Sequence, residues 1–111
     1  MINVMIADDQ ELIRESLKIV LEMNADMTIT AMARSGREAL ELLARTPVDI
    51  ILMDIRMPEL DGVLATKAVK ERYPDVGIII LTTFDDDDYV YSALKYGASG
   101  QLGLSLFIGV D

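Results

Sequence analysis

Five short apolar runs, separated by segments of helical periodicity, constrain the fold of this 111-residue chain more than any other feature. Ile2 to Ala7, Met27 to Ala33, Asp49 to Met53, Gly77 to Thr82 and Gly100 to Leu104 each read as a strand. Between the first two, Ile13, Leu17, Val20 and Leu21 follow the i, i+4, i+7, i+8 spacing of an amphipathic helix. Ser35 and Glu38 predict a capping box for a helix through Ala44, which Pro47 closes off. Gly62 to Arg72 predict a helix that stops before Pro74. Asp85 and Asp88 suit the N-cap and first turn of a helix carrying Val90, Ala93 and Leu94, and Gly97 suits its C-cap. Strands alternating with helices imply right-handed crossovers and a parallel sheet. Strands this apolar predict cover on both faces.

In such sheets, ligands bind outside the carboxyl ends of the strands. Asp8 and Asp9 follow the first apolar run, Asp54 follows the third, and Thr82 ends the fourth. Three clustered carboxylates repel one another, which raises their pKa values or calls for a cation. Magnesium takes six oxygens and keeps several waters. Asp8, Asp9, Asp54 and the backbone carbonyl of Arg56 are the candidate protein ligands. Asp54 would then be the nucleophile of an in-line phosphoryl transfer that gives an aspartyl phosphate, with the Thr82 hydroxyl donating to a phosphoryl oxygen. Taken alone, Asp8 and Asp9 could simply cap the first helix. Asp85 to Asp88 read as a helix N-terminus with a solvated acidic face, and Lys67, Lys70 and Arg72 as an exposed helix face. Tyr89, Tyr91 and Tyr96 suit either partly buried packing or the edge of an interaction surface.

Composition narrows the chemistry. There is no histidine, so phosphoryl chemistry must run through a carboxylate or a hydroxyl, and no cysteine, so there is no disulfide or thiolate metal site. A net charge of −9 disfavours nucleic acid and anionic lipid as partners of this chain. No run approaches the ~20 apolar residues of a membrane span. The expected setting is the cytoplasm.

With these residues in place, the chain resembles the response-regulator receiver domains of bacterial two-component signalling. The matching pieces are Ala7-Asp8-Asp9, Met53-Asp54-Ile55-Arg56-Met57-Pro58 with Asp61-Gly62, Leu81-Thr82-Thr83, and Gly97-Ala98-Ser99-Gly100. The segments from Asp8 to Glu15 and from Thr82 to Asp87 are similar to LuxR/NarL-type regulators. The resemblance implies a flavodoxin-like, CheY-like α/β fold, doubly wound on a five-stranded parallel sheet of order 2-1-3-4-5. It also implies Asp54 as phosphoacceptor, Asp8 and Asp9 as magnesium carboxylates, Thr82 as switch hydroxyl, and a sensor histidine kinase as donor. Receivers of this kind accept phosphoryl groups without being turnover enzymes, and they serve transcription regulation.

Two positions depart from the family pattern. Leu104 stands where the family carries a lysine, and Gln101 where it carries an aromatic residue. The receiver is expected to span 1–104, with an atypical tail over 105–111, the fifth helix missing or replaced, and no DNA-binding output domain. Slower phosphorylation or a weaker switch is expected from the lost lysine. An uncovered first helix would favour self-association, with a homodimer as the candidate. The competing reading is a degenerate receiver that serves as an interaction module. A haloacid-dehalogenase-like phosphatase is disfavoured, because Arg56 stands where a second acid is needed.

Overall fold

The computed structural model describes residues 1–82 and 87–103. The strands are β1 (Ile2–Ala7), β2 (Met27–Ala33), β3 (Ile50–Asp54), β4 (Gly77–Thr82) and β5 (Gly100–Gly103). All pairings are parallel, and the strand order is β2-β1-β3-β4-β5. Sequence-adjacent strands therefore lie beside or near one another, with the reversal of order at β1 and β3.

Side-chain alternation along the strands builds two cores. Met5, Ala7, Ile51, Met53, Ile78 and Ile80 share one face. They pack under α2 (Gly36–Leu43), α3 (Gly62–Arg72) and α4 (Asp87–Lys95) through Ala39, Leu43, Val63, Ala65, Val69, Val90 and Ala93. Val4, Ile6, Leu52 and Leu81 share the other face and pack under Ile13 and Leu17 of α1 (Glu11–Glu22). Cover on both faces explains why the strands are apolar at nearly every position.

The helix ends follow the local chemistry, with some departures. The Ser35 hydroxyl accepts from the Glu38 amide at 3.1 Å. The Glu38 carboxylate reaches back to the amide of Arg34 rather than that of Ser35, so the capping box is offset by one residue. Asp61 caps α3 by accepting from Leu64 N–H at 2.9 Å. Lys70 is not part of a solvated face: its ammonium donates to the carbonyls of Pro74 and Val76 and closes the helix end. Gly97 (φ +114°) ends α4, with Gly97 N–H donating to Leu94 and Ala98 N–H to Ala93. Val20, expected on the buried stripe of α1, lies at its exposed margin, whereas Leu21 packs on the core. The third strand is displaced by one residue from its expected bounds and takes in Asp54. Asp85, Leu104, the tail 105–111 and the question of a fifth helix lie outside the described residues.

Candidate functional site

Strand register brings the acidic residues together. Ala7 pairs with Met53, so Asp8 and Asp54 leave the ends of neighbouring strands at one level. Asp54 in turn pairs with Leu81, which places Thr82 one residue beyond it on the next strand. The carboxylates of Asp8, Asp9 and Asp54 each offer an oxygen within 4.8 Å of the others.

Each aspartate sits in a different environment. Asp8 is 1% exposed. One of its oxygens, Oδ1, accepts from Gln10 N–H at 2.8 Å, while Oδ2 is buried and has no hydrogen-bond partner. Such an orphaned acceptor is costly unless something else meets it. Asp9 is exposed. Asp54 is intermediate, and its Oδ1 accepts from Ile55 N–H at 2.9 Å. The Asp54 carboxyl is pushed up to about 7, chiefly by burial and then by the Asp8 charge, with the Ile55 amide opposing and Asp9 adding a smaller upward push. The Arg56 backbone amide also favours its ionised form. The Asp8 carboxyl is likewise raised, first by burial, against the Gln10 amide and with help from Asp9. An all-oxygen set, with one buried oxygen lacking a partner and two pKa values raised by desolvation and repulsion, fits a hard divalent cation.

The helix-capping alternative for Asp8 and Asp9 is not what the structure shows. Gln10 occupies the N-cap of α1, with no side-chain bond to the helix. Asp8 instead holds the amide of Gln10, and the Arg14 guanidinium donates to the Asp8 carbonyl at 2.8 Å. The carboxylate is thus turned to the acidic cluster rather than to the helix.

The segment after Asp54 is tightly folded. Gly62 N–H donates to the Ile55 carbonyl at 2.7 Å, and a Cβ at Gly62 would overlap the Asp54 carbonyl oxygen. Glu59 (φ 51°) and Leu60 (φ 92°) adopt left-handed backbone that side chains disfavour. Their carbonyls accept from Arg37 and Gly36 N–H at the start of α2, at 3.0 and 3.1 Å. Neither the strain nor this clamp carried a signal in the sequence, where no glycine marks positions 59 and 60. Asp61 as a cap was readable from an aspartate just before a helix. The Arg56 guanidinium lies over the Tyr89 ring at 5.2 Å, a contact between residues 33 apart that no local pattern indicates.

Thr82 ends β4 beside β5, where it pairs with Gly103; its side chain lies outside the described residues. A cleft of about 640 Å³ between α2 and α3, lined by Leu40, Ala44, Leu60 and Tyr73 among others, contains none of the three aspartates. Among the described residues, no helix is long and apolar enough to cross a membrane.

Comparison with known proteins agrees with this geometry. A family profile described as "Response regulator receiver domain" matches residues 4–103. The chain is 44% identical over 101 residues to the transcriptional regulatory protein DegU of Brevibacillus brevis, covering 91% of this chain and 43% of that protein. It therefore spans under half the length of that relative. Its fold matches a LuxR-family two-component response regulator from Aurantimonas with a TM-score of 0.86 and 28% identity, covering 93% of this chain and 74% of the other. It also matches the signal receiver domain of the NarL regulator from Mycobacterium tuberculosis with a TM-score of 0.84 and 30% identity, covering 93% and 83%. The chain belongs to the response-regulator receiver domains, with its relatives among the LuxR/NarL-type regulators.

Proposed function

We propose that this chain is a phosphorylation switch in which Asp54 takes a phosphoryl group, in a magnesium-dependent reaction, from a phosphohistidine of a sensor histidine kinase. The observation that carries this reading is the convergence of Asp8, Asp9 and Asp54 around a buried, unpartnered oxygen at the carboxyl edge of the sheet. The transfer breaks the phosphorus–nitrogen bond of the donor and forms a phosphorus–oxygen bond to Asp54. The electron pair of the broken bond stays on the imidazole nitrogen. The amides of Ile55 and Arg56 orient the Asp54 carboxylate for this attack. Arg14 fixes the backbone of Asp8 and hence the direction of its carboxylate. Asp8, Asp9, Asp54 and the Arg56 carbonyl are the residues that would hold magnesium, which supplies charge neutralisation at the transferring oxygens. Thr82, one residue beyond the partner of Asp54, is the hydroxyl proposed for the phosphoryl oxygen.

In this reading the chain is a phosphoacceptor rather than a turnover enzyme, acts in the cytoplasm and serves transcription regulation, as the printed role of its DegU relative suggests. Its charge of −9 argues that the domain itself does not hold DNA. Self-association is supported by α1 and its C-cap, where Leu12 (76% exposed), Ile19 (67%) and the capping Met23 (81%) lie seven and four residues apart on one stripe.

The test is intact-mass spectrometry after incubation with acetyl phosphate and magnesium, beside Asp54→Asn. A gain of one phosphoryl group that is absent in the variant is expected. No gain in a folded, magnesium-binding protein would overturn the switch and leave an interaction module. Light scattering across concentration tests the self-association, and a strict monomer would refute it.

A further inference from the structure

The cleft between α2 and α3 lies apart from the acidic cluster. Arg37, Leu40, Glu41 and Ala44 line one wall, and their spacing of three, four and seven residues puts them on one face of α2 and its C-cap. Leu60, Arg72 and Tyr73, from either end of α3, line the other. Leu40, Leu60 and Tyr73 are half-buried and pack against the core, so the floor is apolar and anchored. The α2 wall runs about 10 Å, at ~1.5 Å per residue. The volume of about 640 Å³ is that of a small-molecule site. The charges on the rim are not equivalent. Arg37 is matched by Glu59 at 3.8 Å. Among the described residues, the exposed Arg72 guanidinium makes no hydrogen bond or ion pair, and the hydroxyl of Tyr73 makes none either. Arg72 is not needed to close α3, because the Lys70 ammonium already binds the carbonyls of Pro74 and Val76 beyond its end. Two free donors on consecutive residues therefore stand at one end of an apolar floor.

We propose that this cleft binds a monocarboxylate with an aliphatic body, of the medium-chain fatty acid class, its carboxylate on Arg72 and Tyr73 and its chain over Leu40, Ala44 and Leu60. A carboxylate accepts from a guanidinium fork and from a phenol hydroxyl at once. The ligand carries one negative charge and no more, because Glu41 and Glu59 share the rim and the chain as a whole stands at −9. The side chains of Leu40, Ala44 and Leu60 offer no polar group, so a body bearing hydroxyls or amides would give up water without replacement. Occupancy reaches the loop after Asp54. The carbonyls of Leu60 and Glu59 accept from Gly36 and Arg37 N–H at 3.1 and 3.0 Å, and both residues hold left-handed backbone. A ligand packed on Leu60 and on α2 together braces that clamp. Binding itself is independent of whether Asp54 accepts a phosphoryl group.

The experiment titrates octanoate, below its micelle concentration, into the full 111-residue chain and follows the backbone amides by NMR. Shifts are expected at Leu40, Ala44, Leu60 and Tyr73, and not at Val4 or Leu17 on the other face of the sheet. From butanoate through hexanoate to octanoate, binding is expected to tighten about two- to four-fold per methylene, as partial to full burial supplies. Arg72→Gln, a change at an exposed side chain, is expected to weaken octanoate about ten-fold, the size of one charge-assisted hydrogen bond. Glu41→Gln removes a like charge from the rim and is expected to tighten it about two-fold. At about ten times its dissociation constant, octanoate is expected to slow exchange of the Gly36 and Arg37 amides about ten-fold. Octanol or octyl phosphate that binds as tightly as octanoate would overturn the proposal. So would an Arg72→Gln chain that binds octanoate unchanged. Shifts at Leu40 and Tyr73 on raising the protein concentration alone would give the cleft to a second copy of the chain and overturn it too. Gly36 and Arg37 amides that exchange at the same rate in the saturated chain would overturn the bracing of the loop.

Discussion

Replacing Asp54 by asparagine is expected to stabilise the metal-free protein, although it removes the proposed phosphoacceptor. The carboxyl is pushed from 3.8 up to about 7, chiefly by burial and then by the Asp8 charge. Such a rise corresponds to about 4 kcal/mol between the ionised and neutral forms if it is fully expressed. Asp54 is only partly buried, so solvent screening reduces this to about 2 kcal/mol. Asparagine keeps the oxygen that accepts from Ile55 N–H and removes the charge. At about 4 °C per kcal/mol for a domain of this size, Asp54→Asn should melt roughly 8 °C higher than the parent near pH 8 in a chelator. Because the folded pKa lies above the unfolded one, the stability contributed by Asp54 is complete below pH ~3.8 and is lost as pH rises through about 7. The advantage of the variant should therefore grow across that window and level off above it. Magnesium acts in the opposite sense. At tenfold excess over its dissociation constant it adds about 1.4 kcal/mol to the parent and less to the variant, narrowing the gap. Differential scanning fluorimetry over pH, with and without magnesium, reads all three effects. A variant that melts lower than the parent near pH 8 without metal, or a gap that ignores pH, would refute the picture of a repulsive, desolvated acceptor.

Three further substitutions probe the scaffold around it. Gly62→Ala drives a methyl into the Asp54 carbonyl oxygen, so urea denaturation should show a loss of about 1–3 kcal/mol, and acetyl phosphate should label the variant more slowly. Glu59→Asn places a residue tolerant of left-handed backbone at φ 51° and gives up only an exposed 3.8 Å ion pair with Arg37. It should gain roughly 0.5 kcal/mol in the same assay, and a loss above that size would mean the Arg37 pair matters more than the strain. Ser35→Ala removes the acceptor for Glu38 N–H and should lower stability by about 1 kcal/mol, with Ser35→Asn restoring most of it.

The fold was legible because its signals are local and repeated. Each strand is an apolar run, and α2, α3 and α4 each begin or end near a residue whose chemistry marks the boundary. The convergence of Asp8, Asp9 and Asp54 was legible because parallel strands bring their carboxyl ends to one edge, whatever the detailed packing. What escaped was non-local or conformational. The Arg56–Tyr89 contact spans 33 residues and depends on where α4 settles. The bond from Arg14 to the Asp8 carbonyl depends on the rotation of α1. Val20 was placed on the buried stripe by spacing alone, but α1 buries a narrower band centred on Ile13 and Leu17. The half-box at Ser35 was read correctly, while its reciprocal bond moved one residue because Glu38 meets the amide of Arg34.

The unfavourable features of this molecule gather at one end of its sheet. Asp8 buries an unpartnered oxygen, Asp54 carries a charge its surroundings resist, and Glu59 and Leu60 hold strained backbone. Strain of this kind persists only where neighbouring structure over-determines it. Here α2 does so, through the Gly36 and Arg37 amides, and the Gly62 amide closes the loop onto Ile55. The proposed acceptor is thus fixed in place before any donor arrives. A phosphoryl group added to so rigid a loop changes local charge far more than it changes local packing. The proposed modification would therefore act on its surroundings first through charge, at a loop whose backbone α2 already holds.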